Sequence, residues 1–162
     1  MEPHTNMLTP DVLKFMDSSV LCWIATADAS GAPNVSPKEI FVPHGSESVL
    51  IANIASPKTI QNIQANPKVC LSFVDVFVQK GFKLQGRARV VAREDSEFSG
   101  FLVPLEKMTK GQFPILSIIC MTVEQVEPIV APSYRLKPDI TESSQIQSAL
   151  KTYGVCRDEG DA

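Results

Sequence analysis

A cation, two hydroxyls and a proline fall together at Ser56, Pro57, Lys58 and Thr59, directly behind an apolar run. Residues 49–54 read as a β-strand, and the four residues lead out of it into a helix. Ser56 has the chemistry of an N-cap, and Pro57 suits the first helical position. Lys58 and Thr59 then occupy the first turn, where free backbone N–H groups and the positive end of the helix dipole face outward. A strand that delivers a cationic, hydroxyl-bearing helix start has the makings of a phosphate seat. On these four residues alone, a capped helix with a solvated lysine is the commoner arrangement.

The rest of the chain removes other chemistries. His4 and His44 are the only histidines, and neither has metal-ligand spacing. No metal site is expected. His44 sits in VPHGSES, which reads as a turn, with no partner serine or cysteine motif. There is no Gly-rich P-loop and no GxGxxG. Cys22, Cys70, Cys120 and Cys156 form no CxxC pair, and three lie inside apolar runs, the pattern of reduced structural thiols. A net charge of −3 argues against a basic field for nucleic acid or a membrane surface. No apolar stretch is long enough to span a bilayer. The start, MEPHTNMLTPDVLKF, is acidic and polar, unlike a signal peptide. The expectation is a cytoplasmic protein acting on a small molecule. With 162 residues, 44% hydrophobic and 20% charged, the chain has room for one proper core.

The elements that must position the phosphate seat follow from periodicity. Thr9 or Asp11 caps a first helix whose apolar side is Val12, Leu13, Phe15 and Met16. Residues 20–27 read as a buried strand, and Gly31 and Pro33 mark a hairpin loop. Residues 34–42 read as one second strand, with Pro37 arguing for an edge or a bulge. The third strand, 48–54, precedes a helix over 57–66 that Pro67 stops. Residues 69–74 form a fourth strand. In the fifth, 80–91, Phe82, Leu84, Gly86, Ala88 and Val90 alternate with Lys83, Gln85, Arg87 and Arg89. Gly86 and Ala88 are small, as where a barrel wall bends or another group approaches closely. A short helix at 96–102 ends before Pro104, and 115–123 is a sixth strand, apolar on both faces. Residues 131–142 read as a linker. A helix over 145–153 follows, with Ile146, Leu150 and Tyr153 on one side, and RDEGDA is expected to be disordered. Trp23 reads as core or an oligomer contact, and Met108 and Met121 as packing. Arg87 and Arg89 face water. Six strands with short connections make a small antiparallel barrel.

The order β-β-β-α-β-β-α-β, with IATADASGAPNVSP, VLIANIASPKTIQNIQANPKVCLSFV and KGFKLQGRARVV, resembles the pyridoxamine 5′-phosphate oxidase-like family. The resemblance covers roughly residues 10–128 on an element-by-element reading. Its most specific piece is Ser56-Pro57-Lys58-Thr59 followed by Asn66-Pro67-Lys68-Val69; Gly86-Arg87-Ala88 is a weaker marker. The resemblance implies a mainly β chain with flanking helices, a six-stranded antiparallel split β-barrel. Residues 1–130 would form the flavin mononucleotide (FMN)-binding domain, and 131–162 a C-terminal extension.

In such proteins FMN lies in a groove at the interface of a twofold homodimer. The positions that match its phosphate contacts are Ser36 and Lys38 on the second strand, then Lys58 and Thr59, and Pro37 between the first two is counted among the cofactor-binding positions. Ile51, Ala52 and Asn53 match the strand beside the ring and ribityl chain. Lys80 and Gly81 match the start of the long strand, and Phe113 and Pro114 a contribution from the partner subunit. A lysine near the flavin N1 and O2 would favour the anionic reduced form. Lys38 and Lys80 are the candidates, and the sequence does not decide between them.

The departures narrow the function. Pyridoxamine phosphate oxidases carry arginines at the positions of Ser36 and Pro57, and a tail with tryptophan and an arginine–histidine pair. This chain has its only tryptophan at Trp23 and no histidine in its tail. It is more similar to the short FMN-binding and flavin reductase-like members. A flavin carries its own redox chemistry, so a chain without a catalytic histidine can serve it. The expected function is an FMN-dependent oxidoreductase acting on a small molecule with a nicotinamide or other reductant. The alternatives are a non-catalytic flavin-binding electron carrier and a deazaflavin (F420)-dependent reductase.

Overall fold

The computed structural model describes residues 6–157. His4, and all of the RDEGDA tail but Arg157, lie outside the described residues. Helix α1 (Pro10–Ser18) begins at Thr9, whose Oγ1 accepts the Val12 N–H, and it buries Val12 and Met16. Strands β1 (Cys22–Ala27) and β2 (Pro33–Lys38) form the first hairpin. Strands β3 (Phe41–His44) and β4 (Ser48–Asn53) form the second, and helix α2 (Pro57–Ala65) follows. Strands β5 (Lys68–Asp75) and β6 (Lys80–Val91) precede helix α3 (Phe98–Thr109). Strand β7 (Ser117–Val130) and helices α4 (Ser133–Leu136) and α5 (Glu142–Tyr153) complete the described chain. None of these helices is long and apolar enough to cross a membrane.

The seven strands make one antiparallel sheet in the order β2-β1-β5-β6-β7-β4-β3. The count corrects the expected six. What reads as one strand over residues 34–42 is two, because β1 supplies partners only as far as Cys22↔Lys38, while Phe41 pairs with Ile51 of β4. β2 and β3 thus lie on opposite edges of the sheet yet are joined by only Glu39 and Ile40. So short a link spans roughly 10 Å at most. The sheet must therefore curl until its edges nearly meet, giving a half-barrel with a seam. Pro37 sits on the edge strand, opposite Trp23, as proline in a sheet is expected to.

Two cores use opposite faces of the same strands. Val49 and Ile51 of β4 and Ile119 and Met121 of β7 face the barrel interior with α1. Leu50 and Ala52, with Ile118 and Cys120, face α3 through Phe98 and Leu105. The apolar character of β7 on both faces is thus covered within one chain. α3 runs through Pro104 to Thr109 instead of ending before it. The bond that Pro104 omits would fall on Gly100, at the exposed surface. Beyond it Leu105 and Thr109 are buried, which holds the helix on. Gly86 answers a close approach: a Cβ there would lie 2.0 Å from the Thr122 carbonyl oxygen. β6 keeps its alternation; opposite Gln85 and Gly86 the register with β7 slips by one, leaving Glu124 of β7 without a partner in the pairing. Part of the expected linker is α4, and α5 begins at Glu142. It buries Gln145 and Ala149, whereas Tyr153 is exposed against Phe77. Met121 is buried, but Met108 lies on the surface.

Candidate functional site

The seam between β2 and β3 opens into a cavity of about 500 Å³. Leu21, Trp23, Ile40, Ala52, Ile54 and Phe113 give it an apolar wall, and Pro37, Lys38, Glu39, Ala55 and Ser56 complete the lining. Each comes from an element end. Lys38 is the last residue of β2, Ala52 is near the end of β4, and Ser56 precedes α2. The Ala52 N–H donates to the Ile40 carbonyl at 2.9 Å, which extends the β3–β4 ladder by one step and ties the bridging link to β4.

Lys38 is the only lysine among the described residues that is buried, with 7% of its surface accessible. Its ammonium donates to the Ser56 hydroxyl at 2.6 Å. No carboxylate among the described residues lies within ion-pair distance of it. Loss of hydration lowers its pKa below the usual lysine value, partly offset by neighbouring Cys22. Burial pushes the Cys22 thiol up to about 12. Ser56 therefore does not cap α2 with its side chain, as its sequence position predicts; its oxygen is turned to Lys38 instead. Its backbone N–H is held by Asn53 Oδ1 at 3.2 Å, and Asn53 in turn donates to Ser117 at 2.9 Å.

Thr59 is fully buried beneath the first turn of α2. Its hydroxyl meets the Ser36 hydroxyl at 2.8 Å and accepts from Asn34 at 3.4 Å. Buried Asn62 donates to Thr26 at 3.0 Å. This network fastens α2 to β1 and β2 and fixes the rim of the cavity. Lys58 is 56% exposed, with only a loose 3.7 Å approach to Asp28. Asp28 has its pKa lowered, first by the Ser30 hydroxyl and then by the Ala32 N–H.

The structure brings Pro37, Lys38, Ala52 and Phe113 of the sequence-derived positions to the cavity; Ser36, Asn53, Lys58 and Thr59 do not line it, although Asn53 holds the backbone N–H of the lining residue Ser56. Ile51 points into the barrel core. Lys80 and Gly81 do not line the cavity. Lys80 binds Glu142 at 2.7 Å and stands over the Tyr134 ring at 4.3 Å. Gly81 is where β6 passes close to β5, and a Cβ there would lie 2.0 Å from the Phe73 carbonyl oxygen. Phe113 lines the cavity of its own chain, and together with Pro114 it borders a separate hollow near Arg93. The sequence reading missed Leu21, Trp23, Glu39, Ile40, Ile54 and Ala55. For Trp23 the signal was available: Cys22 and Ile24 are buried, so strand alternation turns Trp23 outward, 44% exposed.

The family profile described as pyridoxamine 5′-phosphate oxidase matches residues 8–130. A search of curated protein sequences gives no match. Among solved structures, the chain is similar to a HupZ variant from Group A Streptococcus, with 22% identity and a TM-score of 0.66 over 76% of this chain and 100% of that one. An FMN-binding protein from Syntrophomonas wolfei matches at 14% identity and a TM-score of 0.65, over 76% and 87%. HutZ, the heme storage protein of Vibrio cholerae, matches at 20% identity and a TM-score of 0.61, over 76% and 94%. At these identities the structural likeness concerns the fold.

Proposed function

We propose, since this chain belongs to the pyridoxamine 5′-phosphate oxidase family, that its seam cavity binds FMN and that the protein is a flavin-dependent oxidoreductase for a small molecule. The observation that carries this reading is Lys38, a buried ammonium with one neutral partner and no carboxylate among the described residues. A desolvated charge in that position is costly until an anion arrives to pair with it. The apolar wall of Trp23, Ile40, Ala52 and Phe113 suits a planar ring. Ser56, Lys58 and the first turn of α2 offer a hydroxyl, a cation and free N–H groups for a phosphate at the rim. Lys80, the other candidate for the flavin charge, is already engaged by Glu142.

Bound flavin supplies hydride and electron transfer. The chain's own residues bind and orient it, keep water from one face, and hold positive charge at Lys38 Nζ. Haem is the competing occupant on the likeness to HutZ. Haem iron takes a His, Cys, Met or Tyr ligand, and the cavity lining contains none of these, which favours flavin. The cavity's open side, with Trp23 and Phe113 both substantially exposed, is where we place a second copy in a homodimer. The free cysteines accord with a cytoplasmic location.

Titration of the purified apoprotein with FMN, followed by flavin fluorescence, tests the cofactor. Saturable binding at one per chain is expected, and haem should bind far more weakly. An absence of saturable FMN binding overturns the reading. Bleaching of the bound flavin by NADH or NADPH separates an enzyme from an electron carrier, and selective binding of F420 would mark a deazaflavin protein. Sedimentation should give twice the 17.7 kDa chain mass.

A further inference from the structure

A second groove, of about 310 Å³, adjoins the first and shares Leu21 and Trp23 with it. Its far side is the end of β5 and the turn that follows, with Ser72, Asp75, Val76 and Phe77. The volume suits a molecule of two fused rings and is small for a flavin nucleotide. Val20, Val76 and Phe77 leave 80%, 47% and 36% of their surfaces accessible around it. Apolar surface gathered this way beside a cavity marks a binding surface.

The wall is preformed. Asp75 Oδ1 accepts the Phe77 and Val78 N–H groups at 3.0 and 3.1 Å. The Gln79 N–H returns to the Asp75 carbonyl at 2.7 Å, and Tyr134 donates to the Val78 carbonyl at 2.8 Å. The charge is one-sided. Lys80 stands opposite Asp75 in the β5–β6 pairing but gives its ammonium to Glu142. Asp75 therefore has no cation within ion-pair distance among the described residues, and no basic residue lines the groove. The second groove thus carries a carboxylate and no ammonium, whereas the first carries both, at Lys38 and Glu39.

We infer that this second groove is a subsite for a planar aromatic molecule, neutral or cationic, seated between Trp23 and Phe77. Trp23 supplies a face for ring stacking or for a cation. Asp75 accepts a hydrogen bond or pairs with positive charge, and it repels an anion. Only the identity of the molecule across Trp23 rests on the flavin reading. A nicotinamide dinucleotide, with its diphosphate, does not suit this groove.

The test uses the full chain saturated with FMN and a pair of probes, neutral menadione and anionic 1,4-naphthoquinone-2-sulfonate, measured by equilibrium dialysis. Menadione should bind, and the sulfonate about tenfold more weakly, the scale of one poorly screened like charge. Asp75→Asn keeps the turn's acceptor oxygen and should close most of that gap. Phe77→Ser, at an exposed position, should weaken menadione binding with FMN affinity unchanged. Equal binding of the two probes, or full menadione affinity in Phe77→Ser, overturns the inference. So does Phe77→Ser splitting a dimer into monomers while menadione binding persists, since the patch is then an interface. If FMN fails to bind the wild type, the cofactor reading falls, and the same probe pair on apoprotein still decides the groove.

Discussion

Replacing Lys38 with Met separates two effects that the seam cavity combines. Met keeps the unbranched apolar stem of the side chain, one atom shorter, and removes its charge. If Lys38 pairs with an anionic group of the cofactor, the variant loses a charge-assisted contact worth about 1.5–3 kcal/mol. That is a loss of roughly 10- to 150-fold in FMN affinity. The ligand-free protein should respond in the opposite direction. Its Lys38 is buried against a hydroxyl alone, so removing the charge also removes a desolvation cost. Unfolding in urea should place apo Lys38→Met at or above the wild type. The pH dependence follows from the direction of the shift. The folded pKa lies below the ordinary lysine value of 10.5, so the unfolded chain holds this proton more tightly. The destabilisation is full below the folded pKa, shrinks as pH rises through it, and is gone above 10.5. Apo stability should therefore contain a component that rises over that alkaline window and is absent in the variant. FMN affinity should fall over the same window as the ammonium is lost. A variant with wild-type FMN affinity and lowered apo stability would refute the reasoning, because Lys38 would then be a structural hydrogen-bond donor only.

Lys58→Glu should weaken FMN binding less than Lys38→Met. Its side chain is 56% exposed, and contacts of that kind are worth about 0.2–1 kcal/mol, or up to about fivefold by fluorescence titration. Gly86→Ala drives a Cβ to 2.0 Å from the Thr122 carbonyl oxygen. Backbone must move, and the urea midpoint should fall by the equivalent of about 1–3 kcal/mol or more. Pyridoxamine 5′-phosphate should not be oxidised at ordinary enzyme rates, about 1 per second or faster, in an aerobic assay for pyridoxal phosphate. Lys38 is the one cation lining the seam cavity, and a second phosphate would need its own.

What was legible in the sequence follows from which physical signals are local. The start of α1 rests on Thr9 and the start of α2 on Pro57, so both were readable. β6 was readable from alternation over twelve residues, and Gly86 from its smallness. Pairing is not local, and there the reading failed. Nothing in residues 34–42 says that Lys38 and Phe41 serve opposite edges of one sheet; only the partners, Cys22 and Ile51, say so. That error matters most for the site, because the break between β2 and β3 is the seam that carries the cavity. It also explains why Lys38 and Ser56, eighteen positions apart, could each be flagged without their contact being seen. Each had a satisfactory local account, one as a strand lysine and the other as an N-cap. Covering β7 was a similar case. Two apolar faces need two coverings, and one of them is α3 of the same chain, whose continuation past Pro104 local rules discourage. Tertiary burial of Leu105 and Thr109 overrides that preference. The residues that local signals misplace are thus the ones that two distant segments hold in common, and in this fold those shared positions are where the groove lies.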